Sequence, residues 1–474
     1  MRHVWILPSG FLAALAALSC LGAGQEPSAR PPKVVILHIN DLHGQVYPIR
    51  ERGGLAALAA KIKKLEKEET AKGARVFVVD CGDFFQGTPE GDLTEGRLII
   101  DAFNEIGVDA LCVGNHDFDL GPPVLAALAK RATFPMLAAN VRMKDDRIPE
   151  YLKPKVQFPE AQIEFVGLIS SDMPVLTVEK ARVGLSFPLE KEVLARLLPE
   201  CRYRTIVLSH LGHERELELA RAHSVAAWIG GHSHRRMSEK IGAGLYCQAG
   251  ARGEVVGVIE IGERTSGRFE SVSPKEGEDE KVKAILARYT PEIDKIMNEP
   301  IGELAQGVTR EGKGSSLLGN WLCDLMREST RAEIAFHNRT GIRADLSKGI
   351  VRLRDLYQVS PFKNTLITMK LKGSDVIELL AHAMSQPKYL LEVSGIEFKA
   401  DLSEVKVAGV PIDRDRDYVV VTNSFLAKGG DSHVVFSRGR EVKDTLVDLL
   451  EIHKEAVRKH SPVKLTLEPR IHLK

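Results

Sequence analysis

Short apolar runs alternate with amphipathic stretches along the first half of the chain. The runs KVVILHI, ARVFVVD and ALCV have the length and the apolar content of buried strands. Between the first two lies GGLAALAAKIKKLEKEE, which has helical spacing and a charged outer face, and the later runs IEFVGLIS, TIVLSH and AAWIGG repeat the strand pattern. Repeated alternation of strands and helices predicts a layered α/β architecture.

The pattern changes in the middle of the chain. Residues 245–261, LYCQAGARGEVVGVIEI, are interpreted as an antiparallel pair that closes the first domain. Residues 262–280 are rich in Gly, Ser and charge, which is typical of a linker, and a helical stretch follows them. We therefore predict a first domain over 31–264, a linker and bridging helix over 265–300, and a smaller αβ domain over 301–474.

The N-terminal residues have the pattern of a secretory signal. Arg2 precedes an apolar run from Phe11 to Leu18, and small residues follow that run. The run is short for a transmembrane helix, so we predict a signal peptide over 1–23 and no transmembrane helix. Because Cys20 stands where a bacterial lipoprotein is acylated, a lipid anchor at this residue stays open as an alternative. We expect export to the periplasm or cell envelope, with secretion as the alternative.

Charge and cysteine content exclude some classes of protein. Lys and Arg together number 65 against 64 Asp and Glu, a formal net charge of +1, which gives no electrostatic argument for a nucleic-acid partner. The 6 Cys form no CxxC pair, so the chain is not a disulfide scaffold. Hydrophobic residues make up 44% of the chain, enough for substantial buried cores.

Five of the predicted strands end in polar residues. These strand ends carry NDLHG, CGDFFQG, GNHDFD, His210 and GHSH. In α/β folds the carboxyl edge of the strands is where ligands bind, and imidazole, carboxylate and amide groups are ligands for divalent metals. Each motif alone is weak evidence, but the ordered set predicts a pair of ions with Asp83 able to bridge them. Two ions about 3.5–4 Å apart form a clamp for phosphoryl transfer.

Other polar residues in these loops are interpreted as structural. We expect His38 and Asn40 to pack or to hydrogen-bond a turn, and His213 to begin a helix. Asp80 and Asp117 are expected to hydrogen-bond loop backbone.

The motifs resemble those of the 5′-nucleotidase family, whose N-terminal domain is a calcineurin-like metallophosphatase, over nearly the whole mature chain. The resemblance implies an α/β (α+β) fold: an N-terminal four-layer β-sandwich flanked by helices, a bridging helix and a smaller C-terminal αβ substrate-binding domain. It implies two divalent ions, Zn²⁺ or Mn²⁺, one held by Asp41, His43, Asp83 and His234, and the other by Asp83, Asn115, His210 and His232. His234 stands where several relatives have Gln or Asn. In GNHDFD the family's catalytic dyad falls on His116 and Asp119.

The resemblance continues in the second domain. NRTGIR, PFKN and FLAKGGD are similar to the family's NGGGIR, PFxN and FLAxGGD segments. They imply the nucleotide contacts Asn338, Arg343, Phe362, Phe425 and Asp431, with Arg310 as a further phosphate or ribose contact. The two Phe occupy the positions that stack on the base. Arg339 and Thr340 replace two glycines, which adds bulk and charge to a loop that approaches the substrate, and Lys428 replaces the usual Asn.

These features together predict an exported binuclear-metal phosphohydrolase that acts on nucleoside 5′-monophosphates or related nucleotides. Within the same superfamily, a 2′,3′-cyclic-nucleotide phosphodiesterase, a UDP-sugar hydrolase and a thiosulfohydrolase are the alternatives. A nucleotide-binding protein without turnover is a further alternative, although every expected ligand position is filled.

Overall fold

A computed structural model describes residues 33–473 except 50, 178, 263, 363 and 387–389. The predicted signal peptide and Cys20 lie outside the described residues. Among the helices that are described, none combines the length and the apolar character needed to cross a bilayer.

The first domain is built on two sheets and the helices that cover them. Its strands are β1 (Val34–Ile39), β2 (Arg75–Asp80), β3 (Ala110–Cys112), β4 (Met136–Leu137), β5 (Arg142–Met143), β6 (Lys155–Phe158), β7 (Ile163–Ile169), β8 (Leu185–Ser186), β9 (Arg204–His210), β10 (Ala227–Ile229), β11 (Arg236–Ile241), β12 (Gly244–Ala249), β13 (Val255–Ile261) and β14 (Ser266–Ser271). Its α-helices are α1 (Leu55–Ala71), α2 (Pro89–Leu93), α3 (Arg97–Ile106), α4 (Pro122–Arg131), α5 (Met173–Leu176), α6 (Glu190–Leu197) and α7 (His213–Ala222), and α8 (Glu280–Met297) follows the domain.

Within the described residues, each of the two main sheets has six strands. The first has the order β14-β13-β1-β2-β3-β4, and the second has the order β11-β12-β10-β9-β7-β6. Strands β1, β2 and β3 run parallel in the first sheet, and β7, β9 and β10 run parallel in the second. The carboxyl ends of each parallel set therefore lie at one edge of its own sheet.

The two sheets pack face to face, with a helical layer on each outer side. Ile36 and Phe77 of the first sheet meet Phe165 of the second in a core where all three side chains are fully buried. The outer face of the first sheet packs on α1, α3 and α8, and that of the second sheet packs on α6 and α7. Burying one such large side chain contributes about 1.5–3 kcal/mol. This arrangement confirms the predicted four-layer domain.

The expected antiparallel pair over 245–261 is wrong. Strand β12 pairs with β10 and β11 in the second sheet, whereas β13 pairs with β1 and β14 in the first. The true partners, β11 and β14, are edge strands with mostly polar, half-exposed side chains, so they lack the apolar signal of a strand. The chain crosses between the sheets at residues 250–254, where the Arg252 amide donates to the Asp41 carbonyl at 2.8 Å.

The stretch interpreted as linker has regular structure of its own. Strand β14 forms an edge of the first sheet, beyond the predicted boundary at 264. Helix α8 packs on the first domain, where Tyr289 donates to Asp101 at 2.8 Å. From the second domain, Arg354 donates to Asp294 of α8 at 3.0 Å. The helix therefore contacts both domains.

The second domain contains a five-stranded sheet and a smaller four-stranded sheet among its described residues. Its strands are β15 (Pro300–Leu304), β16 (Ile334–Asn338), β17 (Gly349–Arg352), β18 (Thr365–Lys372), β19 (Leu391–Ser394), β20 (Ile396–Lys399), β21 (Val405–Val407), β22 (Val410–Pro411), β23 (Asp417–Asn423), β24 (Arg440–Asp448) and β25 (Ile471–His472). Its α-helices are α9 (Leu317–Thr330), α10 (Leu353–Val359), α11 (Gly373–Ser385), α12 (Ser424–Ala427) and α13 (Leu449–His460). Strands β16 and β23 are parallel neighbours, so the NRTGIR and FLAKGGD loops that follow them lie side by side.

Candidate metal centre and substrate loops

Loops from both sheets of the first domain bring the predicted metal ligands together. Asp41, His43 and His234 form one group, and Asp83, His210 and His232 form a second, with the ligand atoms of each group within 4.8 Å of one another. Asn115 joins the second group, because its Oδ1 lies 2.9 Å from Nδ1 of His232. All seven residues therefore lie in two adjoining groups.

Asp83 lies between the two groups. Its Oδ2 is 3.0 Å from Nε2 of His210 in one group and 3.9 Å from Nε2 of His43 in the other. Burial favours the neutral acid, but the charges of His210 and His116 outweigh it and hold the pKa of Asp83 well below its usual range. An ionised carboxylate in this position is suited to bridging two cations.

The donor set combines imidazole nitrogens with carboxylate and amide oxygens, which fits divalent metal ions. Nε2 of His210 is buried and makes no well-directed hydrogen bond to any described residue, although Asp83 lies nearby. Nδ1 of His210 lies 2.6 Å from the Cys81 carbonyl, and Nδ1 of His43 lies 2.9 Å from the Gln86 carbonyl. A carbonyl accepts from a protonated Nδ1, so Nδ1 carries a proton in both rings and Nε2 is the nitrogen that can ligate a metal.

The ligand loops adopt an unusual backbone conformation. Five of the seven residues have φ between 49° and 73°, in the left-handed region: Asp41, His43, Asp83, His232 and His234. This region costs a non-glycine residue of order 1 kcal/mol, and such residues cluster at functional sites. The loops after β2 and β3 also lie close to each other, since a Cβ added to Gly82 would be only 2.4 Å from the Gly114 amide nitrogen.

Buried polar side chains hold these loops in place, as expected for Asp80 and Asp117. Asp117 accepts from the Asp83 amide at 3.0 Å and from the Gly114 amide at 2.7 Å, which joins the loops after β2 and β3. Asp80 accepts from the Gly82 amide at 2.8 Å. Asn40 hydrogen-bonds the backbone of the 249–250 turn. These bonds confirm the structural interpretation of all three residues.

Glu216, on α7, supports the second ligand group and was not recognised from the sequence. Its carboxyl group accepts from five donors: Ser209 Oγ, the Leu211 amide, the Gly231 amide, Tyr246 Oη and Gln248 Nε2. The two amides flank His210 and His232, so one buried carboxyl group ties both ligand loops to the helix. The only signal in HERELELARA is that a Glu occupies the apolar face of the helix.

His116 and Asp119 form a close pair beside the ligand groups. Nδ1 of His116 lies 2.7 Å from Oδ2 of Asp119, and the His116 amide donates to Asp83 at 2.9 Å. The His116 side chain is 38% exposed, so a substrate can reach it. Loss of water contact lowers its pKa, but the carboxylates of Asp83 and Asp119 outweigh this effect and raise the pKa to about 9.

Two of the predicted nucleotide contacts touch each other in the second domain. Asn338 Nδ2 donates to Asp431 Oδ2 at 3.0 Å, across the neighbouring loops after β16 and β23. Phe362 and Phe425 are 42% and 43% exposed, which is unusual for large apolar side chains. Their segments are joined by a hydrogen bond from Ser424 to Asn364 at 3.1 Å.

The arginines of the substrate loops differ in orientation. Arg343 is exposed, and Arg310 donates to the Ile342 and Arg343 carbonyls at 3.1 and 2.8 Å. Arg339 instead donates to the buried carboxylate of Glu392 at 2.7 Å. The expectation that Arg339 adds charge to the substrate side of its loop therefore needs correction, because its charge is paired with Glu392.

Comparisons with known proteins agree with this two-domain arrangement. The calcineurin-like phosphoesterase family matches residues 34–236, and the 5′-nucleotidase C-terminal domain family matches residues 297–438. The chain is 27% identical to the snake venom 5′-nucleotidase of Crotalus adamanteus, over 85% of this chain and 82% of that protein. It is 26% identical to the trifunctional nucleotide phosphoesterase protein YfkN of Bacillus subtilis, over 90% of this chain but only 34% of that protein.

A solved structure is similar over almost its whole length. The 5′-nucleotidase precursor from Thermus thermophilus superposes with a TM-score of 0.59 at 28% identity, over 93% of this chain and 99% of that one. The two family matches together cover both domains in the order that the fold shows. The chain therefore belongs to the 5′-nucleotidase family of metal-dependent phosphoester hydrolases.

Proposed function

We propose that the protein is an exported two-metal enzyme that removes phosphate from nucleoside 5′-monophosphates or related nucleotides. The observation that carries this proposal is the convergence of seven ligand side chains in two groups, with Asp83 between them and the His116–Asp119 pair beside them. Asp41, His43, Asp83 and His234 would hold one ion, and Asp83, Asn115, His210 and His232 the other.

The residues of the metal centre have different roles in phosphate release. When bound, two divalent ions supply positive charge to the phosphoryl oxygens and lower the pKa of coordinated water. His116 would stabilise charge that develops on phosphate or on the leaving oxygen. Asp119, bonded to Nδ1 at 2.7 Å, fixes the ring so that Nε2 faces the substrate.

The second domain offers the chemistry that a nucleoside needs. Phe362 and Phe425 present exposed rings on joined segments, and a base that stacks on aromatic rings gains about 1–3 kcal/mol. Pro361, next to Phe362, helps to line a cavity of about 390 Å³ whose other walls include Pro89 of the first domain. The loop after β2 that precedes Pro89 also provides the Gln86 carbonyl that positions His43. This proximity supports a catalytic site at the domain interface.

Phosphate release from a panel of substrates tests the proposal. Purified protein loaded with Zn²⁺ or Mn²⁺ is expected to release phosphate from AMP faster than it hydrolyses 2′,3′-cyclic AMP, UDP-glucose or a thiosulfate ester. The His116→Ala variant is expected to keep its metal content while kcat falls about 10²–10⁴-fold. Unchanged kcat in that variant would contradict the role of His116, and a fully metallated wild type that hydrolyses no phosphoester would contradict the function.

Export has its own test, because the targeting segment lies outside the described residues. We expect the mature protein in the cell-envelope fraction, with an N-terminus near residue 24, whereas a lipid-anchored form would begin at Cys20 and remain with membranes. A full-length protein in the soluble cytoplasmic fraction would contradict export.

A further inference from the structure

Thr340 lies between Asn338 and Asp431, two of the nucleotide contacts that the family resemblance implies. Its Oγ1 accepts a hydrogen bond from Asn338 Nδ2 at 2.8 Å and donates one to Oδ2 of Asp431. Asn338 Nδ2 also reaches the same Asp431 oxygen at 3.0 Å. The three side chains therefore form a closed triangle of hydrogen bonds.

This triangle fixes the orientation of Asn338. One hydrogen of its amide is shared between Thr340 Oγ1 and Asp431 Oδ2, which are themselves hydrogen-bonded, and its carbonyl oxygen accepts from Asn423 Nδ2 at 2.9 Å. Asp431 Oδ2 accepts two hydrogen bonds. Oδ1 of Asp431, in contrast, has no hydrogen-bond partner among the residues that the structure describes. One carboxylate oxygen is thus left to receive a ligand.

The backbone around Asp431 fixes the direction of this carboxylate. Asp431 and Ser432 have φ of 52° and 66°, in the left-handed region, and Gly429 has φ of 82°. Gly430 lies under the Phe425 ring, where a Cβ would meet the ring at 2.4 Å. The loop therefore has little freedom to present both oxygens of Asp431 to a ligand, and Thr340 holds the one that turns inward.

We propose that Thr340 determines the sugar specificity of the nucleotide site. A carboxylate with two free oxygens can accept from both hydroxyls of a ribose, and an acidic side chain is a common partner of the ribose 2′-hydroxyl. Here Thr340 donates to Oδ2, so Oδ1 is left to accept from one sugar hydroxyl, which we assign as the 3′-hydroxyl that both kinds of sugar carry. The site accepts ribonucleotides and 2′-deoxyribonucleotides with similar affinity. This inference rests on the proposed function, in which a nucleoside binds, and on the contact with Asp431 that the resemblance implies.

Nucleoside binding to the metal-loaded protein tests the inference without turnover. Calorimetry gives the Kd of adenosine and of 2′-deoxyadenosine for the wild type, Thr340→Val and Thr340→Ser. We expect the two Kd values to lie within about threefold in the wild type and in Thr340→Ser, which keeps the hydroxyl. In Thr340→Val, the freed groups are expected to favour adenosine by about tenfold, as one hydrogen bond to a charged group allows.

The ratio of the two Kd values is internal to each variant, so a partial loss of folded protein does not change it. A wild type that already prefers adenosine tenfold, a Thr340→Val ratio equal to that of the wild type, or no binding of either nucleoside would overturn the inference. Phosphate release from AMP is measured separately. An enzyme that hydrolyses AMP but shows an unchanged ratio contradicts only the role of Thr340, whereas one that hydrolyses no phosphoester contradicts the proposed function.

Discussion

Nε2 of His43 lies 3.0 Å from Nε2 of His234, although the two residues are 191 positions apart in the chain. Each ring also has Asp41 Oδ1 nearby, at 3.8 Å for His43 and 3.3 Å for His234. Both nitrogens are acceptors when Nδ1 carries the proton, so two neutral rings in that form cannot bond each other directly. A shared cation satisfies both nitrogens and the carboxylate together.

The first prediction concerns His234, the exposed member of its ligand group. His234→Ala removes one ligand of one ion. Removal of a residue that only hydrogen-bonds a metal ligand typically costs about 10–100-fold in metal affinity, so loss of the ligand itself is expected to cost at least as much. His234→Asn keeps an oxygen ligand and is expected to bind more tightly than His234→Ala, with a changed preference between Zn²⁺ and Mn²⁺. Competition with a chromogenic chelator measures both affinities.

His213→Ala is the matched control for His234. This ring begins α7 and belongs to neither ligand group. We expect the His213→Ala variant to bind metal with the same affinity as the wild type. Equal metal affinity in wild type and His234→Ala would remove His234 from the ligand set.

The second prediction concerns the exposed aromatic rings. Phe362→Ala and Phe425→Ala are each expected to raise KM for AMP by about 5–150-fold, because each stacking contact contributes about 1–3 kcal/mol. The kinetics of p-nitrophenyl phosphate, which has no base, should change much less. An unchanged KM for AMP in both variants would show that the rings do not bind the base.

The third prediction concerns Glu216, which accepts five hydrogen bonds behind the second ligand group. Glu216→Gln places amide hydrogens among groups that are themselves donors, so the free energy of unfolding is expected to fall by at least about 2 kcal/mol. Because the Leu211 and Gly231 amides lose their anchor, kcat should fall more than KM changes. Denaturant unfolding and steady-state kinetics measure the two effects.

Glu218→Gln provides the matched control, since Glu218 is exposed on the same helix. Its effect on unfolding should stay within about 0.5 kcal/mol. If the two variants were equally stable and equally active, Glu216 would have no positioning role.

The sequence predicts the fold best where strands are apolar. Strand β1 begins and ends within one residue of the KVVILHI run, because both of its faces are buried. Strands β11 and β14 were missed because edge strands keep polar side chains. The ligand motifs were recognisable because each directly follows a strand. The contacts of Glu216 with Gln248 and of Thr340 with Asp431 span 32 and 91 positions, and no local pattern encodes such pairs.

The fourth prediction concerns pH and a histidine remote from the metal centre. Burial lowers the pKa of His453 to about 3, and its ring packs on Trp321 at 4.6 Å between centroids. The unfolded chain binds a proton near pH 6.5 whereas the folded chain does not, so stability falls as pH drops below 6.5 towards 3. At pH 5 this single group lowers the free energy of unfolding by about 2 kcal/mol relative to pH 7.5.

His453→Leu removes this group, so the difference between pH 7.5 and pH 5 in urea unfolding should shrink by about that amount. His460→Gln, at the exposed end of the same helix, serves as the control and should leave the difference unchanged. An equal pH difference in wild type and His453→Leu would show that His453 does not lose a proton on folding.

The metal content of the purified protein is the decisive measurement for the two-metal centre. Elemental analysis after removal of loosely bound metal, combined with protein quantification, gives the number of divalent ions per chain. We expect two ions in the wild type and no more than one in Asp83→Ala, because Asp83 lies between the two ligand groups. A wild type that binds one ion or none at saturating Zn²⁺ and Mn²⁺ would contradict the two-metal centre.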